Sequence, residues 1–459
     1  MTIDVVILAA GKGTRMRSSS PKVLQPLAGK PLLAHVLDTA RTLAGNPRIH
    51  VTVGYGAELV RATFAHEGEI CWHHQERQLG TGDAVRQALP ALREAERVLV
   101  LYGDVPLLRA ETLQQFLHST PANVLGLCTG DLTDPQGYGR ILRSPQGEVL
   151  GIREERDCSA EERLLREVNL GIMLLPASRL PAWIARLQPS NAQGEYYLTD
   201  LVGFARSDGV AVHGFRLPRP EEALGVNDPA QLAVAERFYQ RRQVEALQRA
   251  GLRCADPARL DLRGELRFGM DCWLEPGVII EGKVSLGDRV RVGAGVILRD
   301  CTIGDDVEIL SYSLLEEARI GTAARVGPFA RIRPGSDIGA RAHIGNFVET
   351  KKVILGEGSK ANHLSYLGDA EIGKGVNIGA GVITCNYDGV HKHRTEIGDD
   401  VFVGSDTQLV APVSVGKGAT IGAGSTITKA VPEGGLTLSR TPQRTISHWQ
   451  GPKKSCTPS

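Results

Sequence analysis

From Leu286 onward an aliphatic residue recurs at six-residue spacing, usually followed by glycine: Ile320-Gly321, Val326-Gly327, Ile338-Gly339, Ile344-Gly345, Ile372-Gly373, Ile378-Gly379, Val403-Gly404, Val415-Gly416 and Ile421-Gly422. Such a period fits neither a helix of 3.6 residues per turn nor a strand that alternates by two. It fits a parallel β-solenoid, in which each hexad is a short strand plus a turn. The aliphatic residue points inward and the small one lets the chain turn. Gly-bearing hexads begin at Leu286, Ile303, Ile320, Ile338, Leu355 and Ile372. Their spacing of roughly 17 to 18 residues is one three-sided coil. The beat breaks after Thr384 with Cys385-Asn386-Tyr387-Asp388-Gly389-Val390-His391-Lys392-His393-Arg394, and resumes at Ile397. An insertion in a solenoid becomes a loop on one face, where binding sites often lie.

The first half reads differently. Residues 5–10 form a buried strand, and residues 31–44 carry Leu32, Leu33, Val36, Leu37, Ala40 and Leu43 on one helical face, ended by Gly45. Further strands are expected at 49–53 and 98–102, with a helix near 83–93 between them. The alternation implies a parallel sheet covered by helices. Asp228-Pro229 reads as a helix N-cap followed by proline at the first helical position. The polar run that follows stops at Gly251, a helical arm of roughly 30 Å. The expected divisions are 1–228, the helix 229–249, and 250–459, with a mobile tail after Pro442.

Composition narrows the function. A chain of 459 residues holds more than one domain, and a net charge of +1 gives no field favouring nucleic acid or anionic lipid. Eight cysteines without a C-x-x-C spacing argue against a zinc cluster and a disulfide framework, and fit a reducing cytoplasm. Neither a signal peptide nor a membrane span is legible.

Residues 6–16, VILAAGKGTRM, are a buried strand emptying into a Gly-rich turn, with Pro21-Lys22 close behind. Gly11 and Gly13 let backbone N–H groups approach a polyphosphate, while Lys12, Arg15 and Lys22 add positive charge. The spacing is neither that of a dinucleotide fold nor that of a P-loop ATPase. The string resembles the signature of sugar nucleotidyltransferases. The resemblance implies phosphate contacts from Leu8, Ala9, Ala10, Gly11, Gly13, Thr14, Arg15 and Lys22. It implies base reading by Gln75, Gly80 and Thr81, and sugar contacts from Tyr102, Gly103, Gly139, Glu154 and Asn169, with Tyr197-Leu198-Thr199 matching further sugar-binding positions. Asp104 and Asn227 are the implied ligands of Mg²⁺. A sugar-1-phosphate is already ionised at neutral pH, its second pKa being about 6, so the reaction needs charge neutralisation rather than a general base. No catalytic histidine is expected in this half.

On the solenoid, His363 is off the inward beat, with Arg333 and Lys351 in neighbouring coils and Lys392 in the inserted loop. A base among cations suits an anionic substrate that must lose a proton, such as an amino-sugar phosphate attacking a thioester. The strings QLGTG, LYGDVPL, GYGR, GEYYLTD, VGPFARIRPG, IGNFVETKK, HLSYLGDAEIG, IGAGVITCNYDG and VFVGSDTQLVAPV span nearly the whole chain. Together they resemble the bacterial bifunctional N-acetylglucosamine-1-phosphate uridylyltransferases/glucosamine-1-phosphate acetyltransferases. The resemblance implies an α/β Rossmann-like domain, a linker helix, and a left-handed parallel β-helix of hexapeptide repeats that forms a homotrimer. It implies His363 as the acetyl-transfer base, with Arg333, Lys351, Tyr366 and Asn377 on the sugar phosphate. Ala380, Asn386, Tyr387, Ser405, Ala423 and Arg440 would meet acetyl-CoA, with Glu349 orienting Asn386. The implied product is UDP-N-acetylglucosamine, made in the cytoplasm from glucosamine-1-phosphate, acetyl-CoA and UTP for peptidoglycan and lipopolysaccharide precursors.

Since one face of a prism is flat, a cleft there needs a neighbouring prism and the 386–394 loop, so trimerisation is expected to be a condition of acetyl transfer. A single-activity nucleotidyltransferase whose β-helix serves assembly is the main alternative. Zinc hydrolysis through His343, His363, His391 or His393, and a scaffold trimer, are weaker ones. Asp83 stands where the family commonly has histidine, a change placed to alter triphosphate affinity, and Arg156 where it has lysine. Cys385 reads equally as a reactive or a buried, inert thiol.

Overall fold

The computed structural model describes residues 2–450 except Arg93 and Ala192. The chain divides into two compact units between Arg242 and Gln243, within the helix Pro229–Arg249. The expected cap holds: Asp228 Oδ1 accepts from the Gln231 N–H at 2.8 Å, and Gln231 Oε1 accepts from the Asn227 N–H at 2.8 Å. Each bond satisfies a main-chain donor at this end of the helix.

The first unit is built on a sheet whose strands run in the order Val212–Arg216, Leu125–Asp131, Glu167–Pro176, Arg97–Tyr102, Ile3–Ala9, Arg48–Val53 and Ile70–His74. The expectation of a wholly parallel sheet fails at Glu167–Pro176 and at the hairpin Arg140–Arg143/Val149–Arg153, whose pairings are antiparallel. Glu167–Pro176 is antiparallel to both neighbours. Its physical cause is the excursion 132–166, which carries the hairpin Arg140–Arg143/Val149–Arg153. Leaving the carboxyl end of one strand and re-entering at the same end reverses the chain. Around this sheet pack the Leu32–Arg41 helix and the Thr81–Ala88 helix, each burying an apolar face. The second of these ends at Ala88, before a short 3₁₀ turn Leu89–Ala91, and Arg93 lies outside the described residues.

In the second unit the six-residue beat becomes geometry. Leu286, Ile303, Ile320, Ile338, Leu355, Ile372, Ile397 and Val415 face one another coil after coil in parallel register. All are buried, and together they form the solenoid's interior stripe. Burying each such side chain contributes about 1.5–3 kcal/mol, so the repeat sequence itself supplies the core. Between coils, the Lys283 N–H donates to Asp300 Oδ1 across 17 residues, but the Lys374 N–H reaches Asp399 Oδ1 across 25, where the inserted loop adds length. Residues 443–450 have no regular structure, and the rest of the expected tail, 451–459, lies outside the described residues.

Candidate functional sites

In the first unit, the strand Ile3–Ala9 ends in the Gly-rich turn and opens into a cleft of about 400 Å³. Its walls include Leu8, Ala9, Ala10, Gly11, Lys12, Lys22, Gln75, Gly80, Thr81, Tyr102, Asp104 and Asn227, and none of its lining residues is a histidine. Gly13, at φ +60°, heads the single turn Thr14–Met16, and a Cβ there would meet Lys22 Cβ at 2.7 Å. Glycine at 13 therefore lets the turn close over Lys22. Thr14 and Arg15 are exposed on that turn, outside the cleft's lining. A one-turn helix points successive side chains in different directions.

The two implied metal ligands converge. Lys22 Nζ is ion-paired with Asp104 Oδ2 and donates to Asn227 Oδ1 at 3.0 Å. A carboxylate and an amide oxygen thus grip one cation, a donor set that suits a hard ion such as Mg²⁺.

Gly80, at φ +106°, lies against the GEYYLTD segment, since a Cβ there would stand 2.7 Å from the Tyr196 carbonyl. The Gly82 N–H donates to Tyr196 O at 2.8 Å and the Leu198 N–H to Thr81 Oγ1 at 3.1 Å, fastening that segment to the cleft. Beside it, Glu154 accepts from Thr199 Oγ1 at 2.9 Å, the Asn169 N–H donates to Gly139 O at 2.8 Å, and Asn169 Oδ1 accepts from the Gly171 N–H at 3.1 Å. Burial pushes the Glu154 carboxyl above its ordinary value, and the Tyr102 phenol well above its own. Gly103 packs within 3.2 Å of Val23, as judged at an added Cβ. Glu154, Thr199, Asn169 and Gly139 are thus held by hydrogen bonds in two linked pairs.

In the second unit, His363 ends the strand Lys360–His363 and is exposed. Its Nδ1 lies 2.9 Å from Asn346 Oδ1, one coil earlier. With Nδ1–H donated there, the Nε2 lone pair is free to take a proton. Arg333 pairs with Glu349 at 2.7 Å, and Lys351 lies 3.6 Å from Asp369. Lys392 of the inserted loop stands beside Lys351, whose neighbouring ammonium pushes Lys392 below its ordinary value. Tyr366 faces Glu349 in register, and Asn377 faces Lys360. Arg333, Lys351, Tyr366 and His363 thus lie on neighbouring coils.

One implied link needs correcting: Asn386 Nδ2 donates to Asp369 Oδ2 at 2.5 Å, while Glu349 is engaged by Arg333. Asp369 is in the coil directly beneath Asn386, and its acceptor bridges Asn386 and Lys351. Within the loop, Asp388 accepts from the Val390 and His391 N–H groups at 2.8 and 2.6 Å and lies 2.7 Å from His393 Nε2, which holds its carboxyl well below the usual range. Tyr387 is 60% exposed, leaving its ring open to a partner or ligand.

Ala380, Ser405 and Ala423 stack on one corner of successive coils: a Cβ at Gly379 would stand 2.5 Å from Ser405 N, and one at Gly404 2.4 Å from Ala423 N. Arg440 lies over the same corner, its guanidinium 3.5 Å from the Cβ position of Gly422. The Gly381 N–H donates to His363 O at 3.4 Å, tying His363 to this column. Cys385 is half-buried and burial pushes its thiol up, which favours the inert reading. Among the described residues, no group of three or more His, Cys, Asp or Glu side chains is arranged to hold a metal.

Asn346 and Asp369 lie within the motifs but are given no role there, and Asp83 is singled out only as a departure from the family pattern. The coil period signals the first two, each 17 residues from the side chain it holds.

A phosphate loop with a two-oxygen cation site, followed by a hexapeptide β-helix bearing an exposed histidine, defines a nucleotidyltransferase joined to an acyltransferase. Residues 5–164 match the MobA-like NTP transferase domain family, and residues 394–429 match the bacterial transferase hexapeptide family of six repeats. The chain is 63% identical over 454 residues to the bifunctional protein GlmU of Acidithiobacillus ferrooxidans, covering 99% of each chain. It is 52% identical to that of Marinobacter nauticus, again over 99% of each, and 53% identical to that of Alkalilimnicola ehrlichii, over 98% of this chain and 96% of the relative. The chain belongs to the bifunctional GlmU family: it is an enzyme that joins an acetyltransferase and a uridylyltransferase in one polypeptide.

Proposed function

We propose that His363 is the proton acceptor for acetyl transfer from acetyl-CoA to glucosamine-1-phosphate, and that the Lys22–Asp104–Asn227 cleft then transfers uridylyl from UTP to the acetylated sugar phosphate, releasing pyrophosphate. The observation that carries this reading is the separation of chemistries between the two units. The cleft lined by the phosphate loop contains cations and acceptors but no histidine, whereas the solenoid presents an exposed histidine whose Nδ1 meets Asn346 Oδ1, on coils near those that carry Arg333, Lys351 and Lys392.

In the cleft, N–H groups of the Gly-rich turn and Lys22 would meet the triphosphate, and the sugar phosphate attacks as an anion without a base. Mg²⁺ would be held by Asp104 and Asn227, whose oxygens already converge on one cation, and would neutralise phosphate charge. On the solenoid, an amino-sugar ammonium with a pKa near ~8 must be deprotonated before attacking the thioester. His363 Nε2 takes that proton, Arg333 and Lys351 hold the phosphate, and the Ala380–Ser405–Ala423 column with Asn386, Tyr387 and Arg440 receives the CoA.

The active assembly in this reading is a homotrimer. Tyr312, Phe329 and Phe347 form a ladder on the prism, with ring centroids 5.4 Å apart, and all three are exposed together with Leu364 beside His363. Such a stripe is what a neighbouring prism would cover. We place the enzyme in the cytoplasm, where its substrates would be made; no helix of the described residues is long and apolar enough to cross a membrane.

The reading is tested by incubation with glucosamine-1-phosphate, acetyl-CoA, UTP and Mg²⁺. The parent forms UDP-N-acetylglucosamine. His363→Ala forms it only when N-acetylglucosamine-1-phosphate is supplied, and formation from glucosamine-1-phosphate by that variant overturns the assignment.

A further inference from the structure

Gln75 lines the nucleotide cleft, yet only 3% of its surface is exposed. Its amide nitrogen donates twice, to Gly80 O at 3.1 Å and to Asp83 Oδ2 at 2.9 Å. A backbone carbonyl and a carboxylate can only accept, so the nitrogen must face them and the orientation of the amide is chemically forced. No donor among the described residues meets Oε1, and it is not among the buried atoms left without a partner, so Oε1 is the part of the amide open to the cleft.

Asp83 is itself 5% exposed and sits in the first turn of the Thr81–Ala88 helix, where the helix dipole favours a negative charge. Arg86 and Gln87 donate to its other oxygen at 3.4 Å. It lines no part of the cleft.

We infer that Asp83 is a positioning residue for base selection, locking Gln75 with its carbonyl oxygen toward the nucleotide. The inference rests on the reading that Gln75 meets the base. A locked acceptor pairs with a ring imide N–H, which uracil presents at N3. Cytosine presents an N3 lone pair there, so the same oxygen repels it. If Asp83 is removed, one amide hydrogen loses its acceptor and the amide can turn its NH₂ to the cleft, which suits cytosine.

The test is the ratio of kcat/KM for UTP over CTP, measured on the full chain with N-acetylglucosamine-1-phosphate. Asp83→Leu keeps the branched shape and heavy-atom count of the side chain and removes the acceptor. The expected result is a fall in the ratio of about tenfold or more, the scale of one hydrogen bond, with KM for the sugar phosphate and the rate of acetyl transfer unchanged. Asp83→Asn retains an oxygen that accepts from Gln75, so it should hold the ratio near the parent value. A purely structural role would lower both nucleotides' turnover together and leave the ratio alone. That result in Asp83→Leu overturns the proposal. If the leucine variant fails to fold, Asp83→Ser carries the same test, its hydroxyl being too short to reach the amide. Gln75→Ala separates the two readings. An unchanged ratio there overturns base reading and the proposal with it. A changed ratio there, beside an unchanged one in Asp83→Leu, overturns the role of Asp83 alone.

Discussion

Gly345→Ala should disable acetyl transfer by moving His363 without touching it. A Cβ at Gly345 would stand 1.9 Å from Asn362 O, 2.6 Å from its carbonyl carbon and 2.8 Å from its Cα. Asn362 precedes His363 on the strand that pairs with His343–Asn346, with Ile344 facing Ala361 and Asn346 facing His363. Reaching an ordinary contact distance requires the Asn362 carbonyl to retreat by roughly 1.5 Å, against a native strand spacing of about 4.8 Å. The obstacle is backbone, so no rotamer change relieves it, and the 2.9 Å bond from His363 to Asn346 must lengthen or break. Overpacking of this kind costs about 1–3 kcal/mol, which a long solenoid tolerates locally. A displacement near 1 Å at a catalytic group lowers turnover by about a hundredfold. The assay follows thiol release from acetyl-CoA in parallel with pyrophosphate release from UTP and N-acetylglucosamine-1-phosphate. Acetyl transfer should fall by that factor while uridylyl transfer stays at the parent rate. Gly358→Ala is the control: its Cβ meets nothing within 4 Å although φ is +69°, so it strains the backbone without moving a neighbour. Parent-level acetyl transfer in a stable Gly345→Ala protein would refute the reasoning.

Three further outcomes are expected. Arg333→Ala should raise KM for glucosamine-1-phosphate by about tenfold, as loss of a charge-assisted phosphate contact does, and leave KM for acetyl-CoA unchanged. Chelation of divalent ions should stop pyrophosphate release while thiol release continues, because the convergent oxygens of Asp104 and Asn227 belong to the first site alone. Acidification should destabilise the first unit. Burial lowers His35 and His50 below their ordinary value of 6.5, and His73, stacked on His50, is lowered by the same cause. The unfolded chain then binds more protons, so the stability is complete above about pH 6.5 and is lost as the pH falls below it, by up to about 1.4 kcal/mol per pH unit for each of His35 and His50. Melting curves between pH 7 and 5 should show this fall, reduced in His50→Gln.

Much of the second site was legible because a solenoid converts sequence distance into spatial distance. Within the regular coils, a residue 17 or 18 positions from another faces it in the next coil, as Asn346 does with His363 and Asp369 with Asn386. The inserted loop was legible for the same reason, since it stretches one coil to 25 residues, so that Ile378 pairs with Val403. What the period does not specify is which of several adjacent partners a side chain chooses. Glu349 lies within a coil of Arg333 as well as near the loop, and the charge-assisted pair wins. In the first unit no such ruler exists. Lys22 meets Asp104 and Asn227 across 82 and 205 residues, and only the resemblance of the motifs brought them together. The antiparallel strand Glu167–Pro176 was hidden because its direction is set by where the 132–166 excursion returns, not by its own apolar pattern.

Two reactive centres work independently within one chain. The most direct test pairs Asp104→Ala with His363→Ala and measures thiol and pyrophosphate release for each alone, then UDP-N-acetylglucosamine formation from the mixture. Asp104→Ala should keep parent thiol release and lose pyrophosphate release, His363→Ala should show the converse, and mixing should restore the product. Loss of both releases in either variant, or a mixture that stays inactive, would contradict that independence.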